Sequence, residues 1–221
     1  MLKSDLHLHS GEDKQHRLKY SAKELIAYAA KKGFEVLSLT LHNELFFNKE
    51  LESYARKKGV LLIPGIELQI ENKEVLIYNV TTEEITKLKT FEDLRKLRIK
   101  NNQLLVVAPH PFFKRGNCFG EKLIENIELF DAIEYSHFYL SFFNLNKKAV
   151  KIAKKYSLPL VGSSDTHHLI QLETTYSMID SKKNIKAVIQ AIKKNKVELK
   201  TKPVSLKYFI WRAFISAFKL E

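Results

Sequence analysis

Short runs of apolar residues recur along this chain. Between them lie longer stretches in which apolar positions return at helical spacing. The short runs predict strands over Lys3–His9, Glu35–Thr40, Val60–Ile63, Glu67–Ile70, Val75–Val80, Leu104–Ala108, Ala132–Tyr135 and Leu158–Val161. The longer stretches predict helices over Ala22–Lys32, Lys49–Lys58, Phe91–Asn101, Leu145–Tyr156 and Ile185–Lys194. Ser21 with Glu24 has the form of a capping box, and Gly33 and Gly59 follow Lys-Lys pairs where helix C-caps belong. Short apolar strands alternating with amphipathic helices imply parallel β–α units, hence an α/β fold. So many units in a chain of this length suggest a (β/α) barrel rather than an open sheet.

Residues 1–202 read as one barrel domain, and 203–221 read differently. There Leu206, Phe209, Ile210, Ala213, Phe214, Ala217 and Phe218 fall at helical spacing. Tyr208, Trp211 and Ile215 widen the apolar face, and Lys202, Lys207, Arg212 and Lys219 flank it. A helix docked on the barrel or on a second subunit is expected. The alternative is a helix lying on a membrane surface, since aromatic and basic residues are mixed as such helices require.

Composition narrows the class. With 221 residues, 45% of them hydrophobic, the chain can bury a substantial core. No apolar run reaches the ~18 residues of a membrane span. The N-terminus runs straight into Asp5-Leu6-His7-Leu8-His9, so no signal peptide is read and a cytoplasmic location is expected. The single Cys118 excludes an internal disulfide and reads as an ordinary free thiol. Lys and Arg number 37 against 25 Asp and Glu, a formal charge of +12. Such a field favours anions: phosphates, nucleic acid or acidic lipid. Many lysines fall as doublets on helices, which also suits plain solvation.

The chemistry collects at strand ends. His7 and His9 end the first strand, with Asp5 on the same face. His42 follows Leu37–Thr40, Glu67 follows Leu61–Ile66, His110 follows Val106–Pro109, and Asp165 and His167 follow Leu160–Ser164. In a (β/α) barrel the C-terminal strand ends carry the site. Core histidines have no reason to favour one end of every strand.

These segments together resemble the PHP family, named for polymerase and histidinol phosphatase domains. The resemblance rests on Asp5–His9, Leu39–Asn43, Pro64–Glu67, Ala108–Pro111, Ala132–Glu134 and Gly162–His167, in order, and spans roughly residues 2–200. Leu172–Tyr176 looks like the strand that follows the last motif in small members. The resemblance implies a distorted seven-stranded (β/α) barrel and two or three divalent ions, of zinc, manganese or iron. It also implies hydrolysis of a phosphomonoester or phosphodiester by a water activated on those ions, with Glu67, Asp165 and His167 catalytic.

By the same resemblance His7, His9, Glu67 and Asp165 would hold one ion. Glu67 would bridge to a second, shared with His110, and His42 and His167 would hold a third. Mixed imidazole and carboxylate donors suit such metals. Three positions depart from the family pattern. Leu41 stands where an Asp usually precedes the second-strand His. Glu74 stands where a His is usual, and it either ligates or is a solvated turn acid. Near residue 16, counting back from Gly33 favours His16 and counting forward from His9 allows Asp13; His16 is preferred.

Lys114, Arg115 and His137 are candidates to bind substrate phosphate, with Arg able to do so bidentately. As loop residues they read equally well as surface charges. Glu134 is a candidate partner to a metal ligand. The substrate expected is a phosphorylated small molecule or nucleotide. Two other readings stand beside it. One is a nuclease acting on single-stranded nucleic acid, encouraged by the charge. The other is a catalytically weakened metal-binding scaffold with a docking tail.

Overall fold

The computed structural model describes residues 1–211. Its strands are β1 (Leu2–Leu8), β2 (Val36–Leu39), β3 (Leu61–Leu62), β4 (Gly65–Ile70), β5 (Lys73–Tyr78), β6 (Leu105–Ala108), β7 (Ala132–Ser136), β8 (Leu160–Ser163), β9 (Thr175–Ile179) and β10 (Val197–Thr201). Its helices are α1 (Ala22–Lys31), α2 (Lys49–Lys57), α3 (Thr82–Thr86), α4 (Phe91–Lys100), α5 (Lys122–Glu125), α6 (Asn146–Tyr156) and α7 (Ile185–Lys193). The strands form two five-stranded sheets, ordered β10-β9-β1-β2-β3 and β4-β5-β6-β7-β8.

The α/β class expected from the periodicity is present, as two mixed sheets. The ladders of the described residues do not form a ring of seven. Parallel pairing holds for β1-β2-β3 and for β6-β7-β8. It gives way to antiparallel pairing at β4-β5-β6 and at β1-β9-β10. The cause at β4-β5 is local. Glu71 and Asn72 both have positive φ, 47° and 62°, and so close a tight hairpin with the twist its strands require. β10 escaped the periodicity reading because it is a half-exposed edge strand, Val-Glu-Leu-Lys-Thr, with no continuous apolar face.

Helix signals fared better. Ser21 caps α1 in the expected capping box. Each longer helix buries a single stripe, such as Val188, Ile189, Ala191 and Ile192 of α7. One apolar cluster packs α4 and α6 on the second sheet, including Ile66, Leu94, Ile133 and Ile152. A second joins both sheets to α7 through Leu6, Tyr78, Val161 and Ile189. A third seats α1 and α2 on β1-β2-β3.

Two isolated bridges, Leu8 with Thr166 and His42 with Glu67, join the sheets at one end. They gather the ends of β1, β2 and β8 around β4. The approach is close at Gly65, where an added Cβ would lie 2.2 Å from Ser38 Oγ and 2.8 Å from a Tyr78 ring carbon. A glycine is thus required to bring β4, and Glu67 with it, alongside β2. Of the expected tail helix, residues 206–211 are helical, and 212–221 lie outside the described residues. Among the described residues no helix is long and apolar enough to cross a membrane.

Candidate metal centre

Every ligand proposed from the sequence arrives at this one end. His7 lies on β1, and His9, Asp13 and His16 follow it in the next loop. His42 follows β2, Glu67 lies on β4 and Glu74 on β5. His110 follows β6, and Asp165 and His167 follow β8. His110 and Asp165 sit at positive φ, 25° and 46°, a strained backbone that non-glycine residues keep only where the surroundings enforce it.

Glu67 is the centre. Its Oε2 lies 3.2 Å from His7 Nε2, 3.4 Å from His9 Nε2 and 3.1 Å from His42 Nε2. Its Oε1 lies 3.3 Å from His110 Nε2. Asp165 Oδ1 stands 3.5 Å from His7 Nε2, 3.4 Å from His9 Nε2 and 3.4 Å from His167 Nδ1. Glu74 Oε2 is 3.8 Å from His110 Nε2, so this acid faces the cluster rather than solvent. The His16 ring packs 5.0 Å from His42 and 4.5 Å from His167, centroid to centroid.

The Nδ1 atoms of five of these histidines are engaged. His7 Nδ1 donates to Glu134 Oε1 at 2.8 Å. His9 and His42 Nδ1 both donate to Asp13 Oδ2, at 2.9 and 2.8 Å. His167 Nδ1 donates to the Asp165 carbonyl at 3.0 Å, and His110 Nδ1 lies 3.3 Å from Cys118 Sγ. Engaging Nδ1 leaves Nε2 as the nitrogen presented to the interior, as metal-ligating imidazoles are held. His7 Nε2, His9 Nε2 and Glu67 Oε1 are buried and make no hydrogen bond despite their close neighbours. Unpaired buried polar atoms are costly. Three at one point, among imidazoles and carboxylates, fit a cation as the missing partner.

Asp13 resolves the departure at Leu41. Leu41 is fully buried, and its side chain offers no acceptor. Asp13 supplies one from the other side, and its Oδ2 also takes the His42 backbone N–H at 3.1 Å. The choice between Asp13 and His16 dissolves, because the structure brings both to the cluster. Asp5, which shares a strand with His7, is not in it. Asp5 accepts the Ser164 backbone N–H at 3.2 Å and so ties β1 to the end of β8.

Charge explains the cluster's titration. Burial by itself would lower the His7 and His9 pKa values. The carboxylates of Glu67, Glu134 and Asp165 lift His7 well above the ordinary range, and Asp13, Asp165 and Glu67 lift His9 to about 9. Burial pushes Glu67 up, yet His7, His110 and His42 hold it well below the usual carboxylate range. Burial and then the Glu67 charge raise Glu74. Burial and the neighbouring His42 and His9 lower His16 to about 4, so it is a neutral imidazole at pH 7. Protons stand here where a multivalent cation would neutralise the same carboxylates.

A cavity of about 590 Å³ opens on the cluster and is lined also by Lys114, Arg115, His137 and Phe138. The three side chains expected to meet phosphate therefore border the same space as the metal-type donors. Sequence reasoning missed three supporting residues. Cys118 touches His110. Asn117 donates to Glu74 through its side chain. Gln171 accepts the His167 N–H at 2.6 Å, and its amide lies 3.1 Å from His137 Nε2. None belongs to a motif, and only their placement in space gives them a role. Glu134 was a candidate partner, and it also accepts the His110 N–H at 2.6 Å and the Ser163 hydroxyl at 2.6 Å.

Comparison with known proteins agrees with this architecture. Residues 144–197 match the family described as PHP-associated. A Methanocaldococcus jannaschii protein, MJ1587, is 30% identical over 144 residues, 59% of this chain and 82% of that one. Among solved structures, PsfC from Pseudomonas syringae superposes with a TM-score of 0.68 at 17% identity, covering 100% of this chain and 99% of that one. An amidohydrolase from Chromobacterium violaceum, solved with sulfate and no metal, gives 0.59 at 15% identity over 74% of this chain and 87% of its own. A Bifidobacterium adolescentis protein assigned as a metal-dependent phosphoesterase gives 0.53 at 14% identity, covering 75% and 87%. At these identities the structural likeness speaks for the fold.

Proposed function

Since residues 144–197 match the family described as PHP-associated, we propose that this chain is a PHP-type metal-dependent phosphoesterase acting on a phosphomonoester or phosphodiester. One observation carries the reading. Four imidazoles point Nε2 at the two oxygens of Glu67, and each has its other nitrogen tied down.

In this proposal His7, His9, Glu67 and Asp165 hold one divalent ion. Glu67, His110 and Glu74 hold a second. His16, His42 and His167 hold a third. Zinc, manganese or iron suits such mixed donors. Bound ions of this kind lower the pKa of water and neutralise phosphoryl oxygens. Asp13 and Glu134 keep the imidazoles aimed. Lys114 and Arg115 attract the phosphate into the cavity, and Arg115 can grip it bidentately. His137, held by Gln171, stands ready to contact a phosphoryl oxygen. No serine or cysteine nucleophile is called on.

The test is turnover of generic phosphoesters by protein loaded with manganese or zinc. His9→Ala and Asp165→Ala should each lower kcat/KM by at least about a hundredfold, in line with losing a metal ligand that has its supporting partners intact. Full turnover in both variants would refute the proposal. Cleavage of single-stranded nucleic acid is the second reading, favoured by the net charge of +12. A steep fall of oligonucleotide binding with salt would move it ahead. The scaffold reading loses its main support, since Asp13 restores the acceptor that Leu41 lacks.

A further inference from the structure

We propose that the rim of this cavity docks on an anionic lipid bilayer, with the tail segment 201–211 as part of the contact. The observation is where exposed apolar side chains gather. Among the described residues, large hydrophobics exposed by more than a third include Phe142 (74%), Phe143 (46%), Ile170 (73%), Leu206 (53%), Ile210 (59%) and Trp211 (44%). They come from three segments, and the three meet at the cavity mouth.

The contacts connecting them are specific. The Phe209 ring stacks on Phe138, a cavity-lining residue, at 4.5 Å and 11°. It also meets Phe143 edge-on at 6.5 Å. Trp211 packs 5.1 Å from His168, the neighbour of cavity-lining His167. Val204 donates its N–H to the Tyr139 carbonyl at 2.9 Å, and Tyr139 meets Thr201 through their hydroxyls at 3.0 Å. The tail thus runs from the 137–143 loop to the 168–171 turn, and each of the three presents exposed apolar side chains. Exposed apolar patches of this kind mark interaction sites.

Charge selects the occupant. Lys114 and Arg115 line the cavity that these segments border. On the tail segment itself Lys202 and Lys207 are exposed. Apolar side chains set among cations match a negatively charged bilayer, where both contributions add. A second copy would bring one +12 chain against another. Single-stranded nucleic acid would use the aromatic rings but not the aliphatic Ile170, Leu206 and Ile210, which suit the acyl boundary.

The test is flotation of the full chain with phosphatidylcholine vesicles, with and without phosphatidylserine. Binding should need phosphatidylserine and should weaken as salt rises. The double variant Phe142→Ser/Phe143→Ser should cut vesicle binding roughly tenfold or more, as expected for withdrawing two aromatic side chains from an interface. Ile170→Ser is a second, independent variant, and a melting curve like that of the wild type certifies that each still folds. No flotation, or flotation indifferent to both variants, overturns the proposal. So does a concentration-dependent dimer, or oligonucleotide binding, that the same substitutions abolish in place of vesicle binding. None of these readouts involves turnover, so the outcome is separable from that of the phosphoesterase assay.

Discussion

Asp13→Asn isolates the role of a residue that is neither in a motif nor among the nitrogens facing the metal space. Asp13 Oδ2 accepts from His9 Nδ1 at 2.9 Å, His42 Nδ1 at 2.8 Å and His42 N at 3.1 Å. Asparagine keeps the shape and one oxygen, which can still satisfy Gln15 N, now bonded to Oδ1 at 2.9 Å. Its NH₂ then faces two imidazole N–H groups. Each lost charge-assisted bond costs about 1.5–3 kcal/mol. The rings relieve the clash by changing tautomer or by turning, and either aims Nε2 wrongly.

Loss of one such supporting partner lowers metal affinity about 10–100-fold. Two imidazoles share this carboxylate, so a loss of about a hundredfold is expected, or about 2.8 kcal/mol. The loss should fall on the ions that His9 and His42 hold. An ion held by His110, whose Nδ1 partner is Cys118, should be spared. The assay is competition with a chromogenic chelator, read as separate binding steps for manganese or zinc, beside turnover at saturating metal. Wild-type affinity at every step would refute the reasoning. An equal loss at every step would replace a local aiming role with a general one.

Metal uptake should release protons. His9 sits at about 9 without a cation, against an ordinary 6.5, because the nearby carboxylates outweigh its burial. Between those values the site must lose a proton to bind metal, so affinity should rise with pH up to about 9. Calorimetry in buffers of different ionisation enthalpy should show at least one proton released at neutral pH, and none would contradict it. Gly65→Ala should destabilise the fold by about 1–3 kcal/mol through overpacking against Ser38 and Tyr78, read as a lower denaturation midpoint; an unchanged midpoint would remove the close-approach argument. Arg115→Ala should raise KM for a phosphoester several-fold with a smaller change in kcat, and an unchanged KM would take Arg115 out of substrate binding.

The metal-type donors were legible in the chain because chemistry at strand ends leaves a local mark. His7, His9, His42, Glu67, His110, Asp165 and His167 each follow or end an apolar run, and the fold brings all of them to one mouth. Glu74 was ambiguous for a physical reason. It opens the second strand of a hairpin, so its turn-like surroundings hid that the strand turns it inward. The antiparallel pairing of β4 and β5 was not foreseen, because alternation does not record the direction of a partner strand.

By itself, then, the sequence determined the α/β class, the capped helices and the kinds of atom available to bind a cation. These follow from periodicity, local hydrogen bonding and residue chemistry, all of which act over a few positions. Only the tertiary structure decided which acid aims His42, which thiol touches His110, how the strands divide into two sheets, and that the tail packs on Phe138 and His168 beside the cavity. Those depend on approaches between residues tens to more than a hundred positions apart. Packing of the whole core sets such approaches, and no short stretch of chain encodes them.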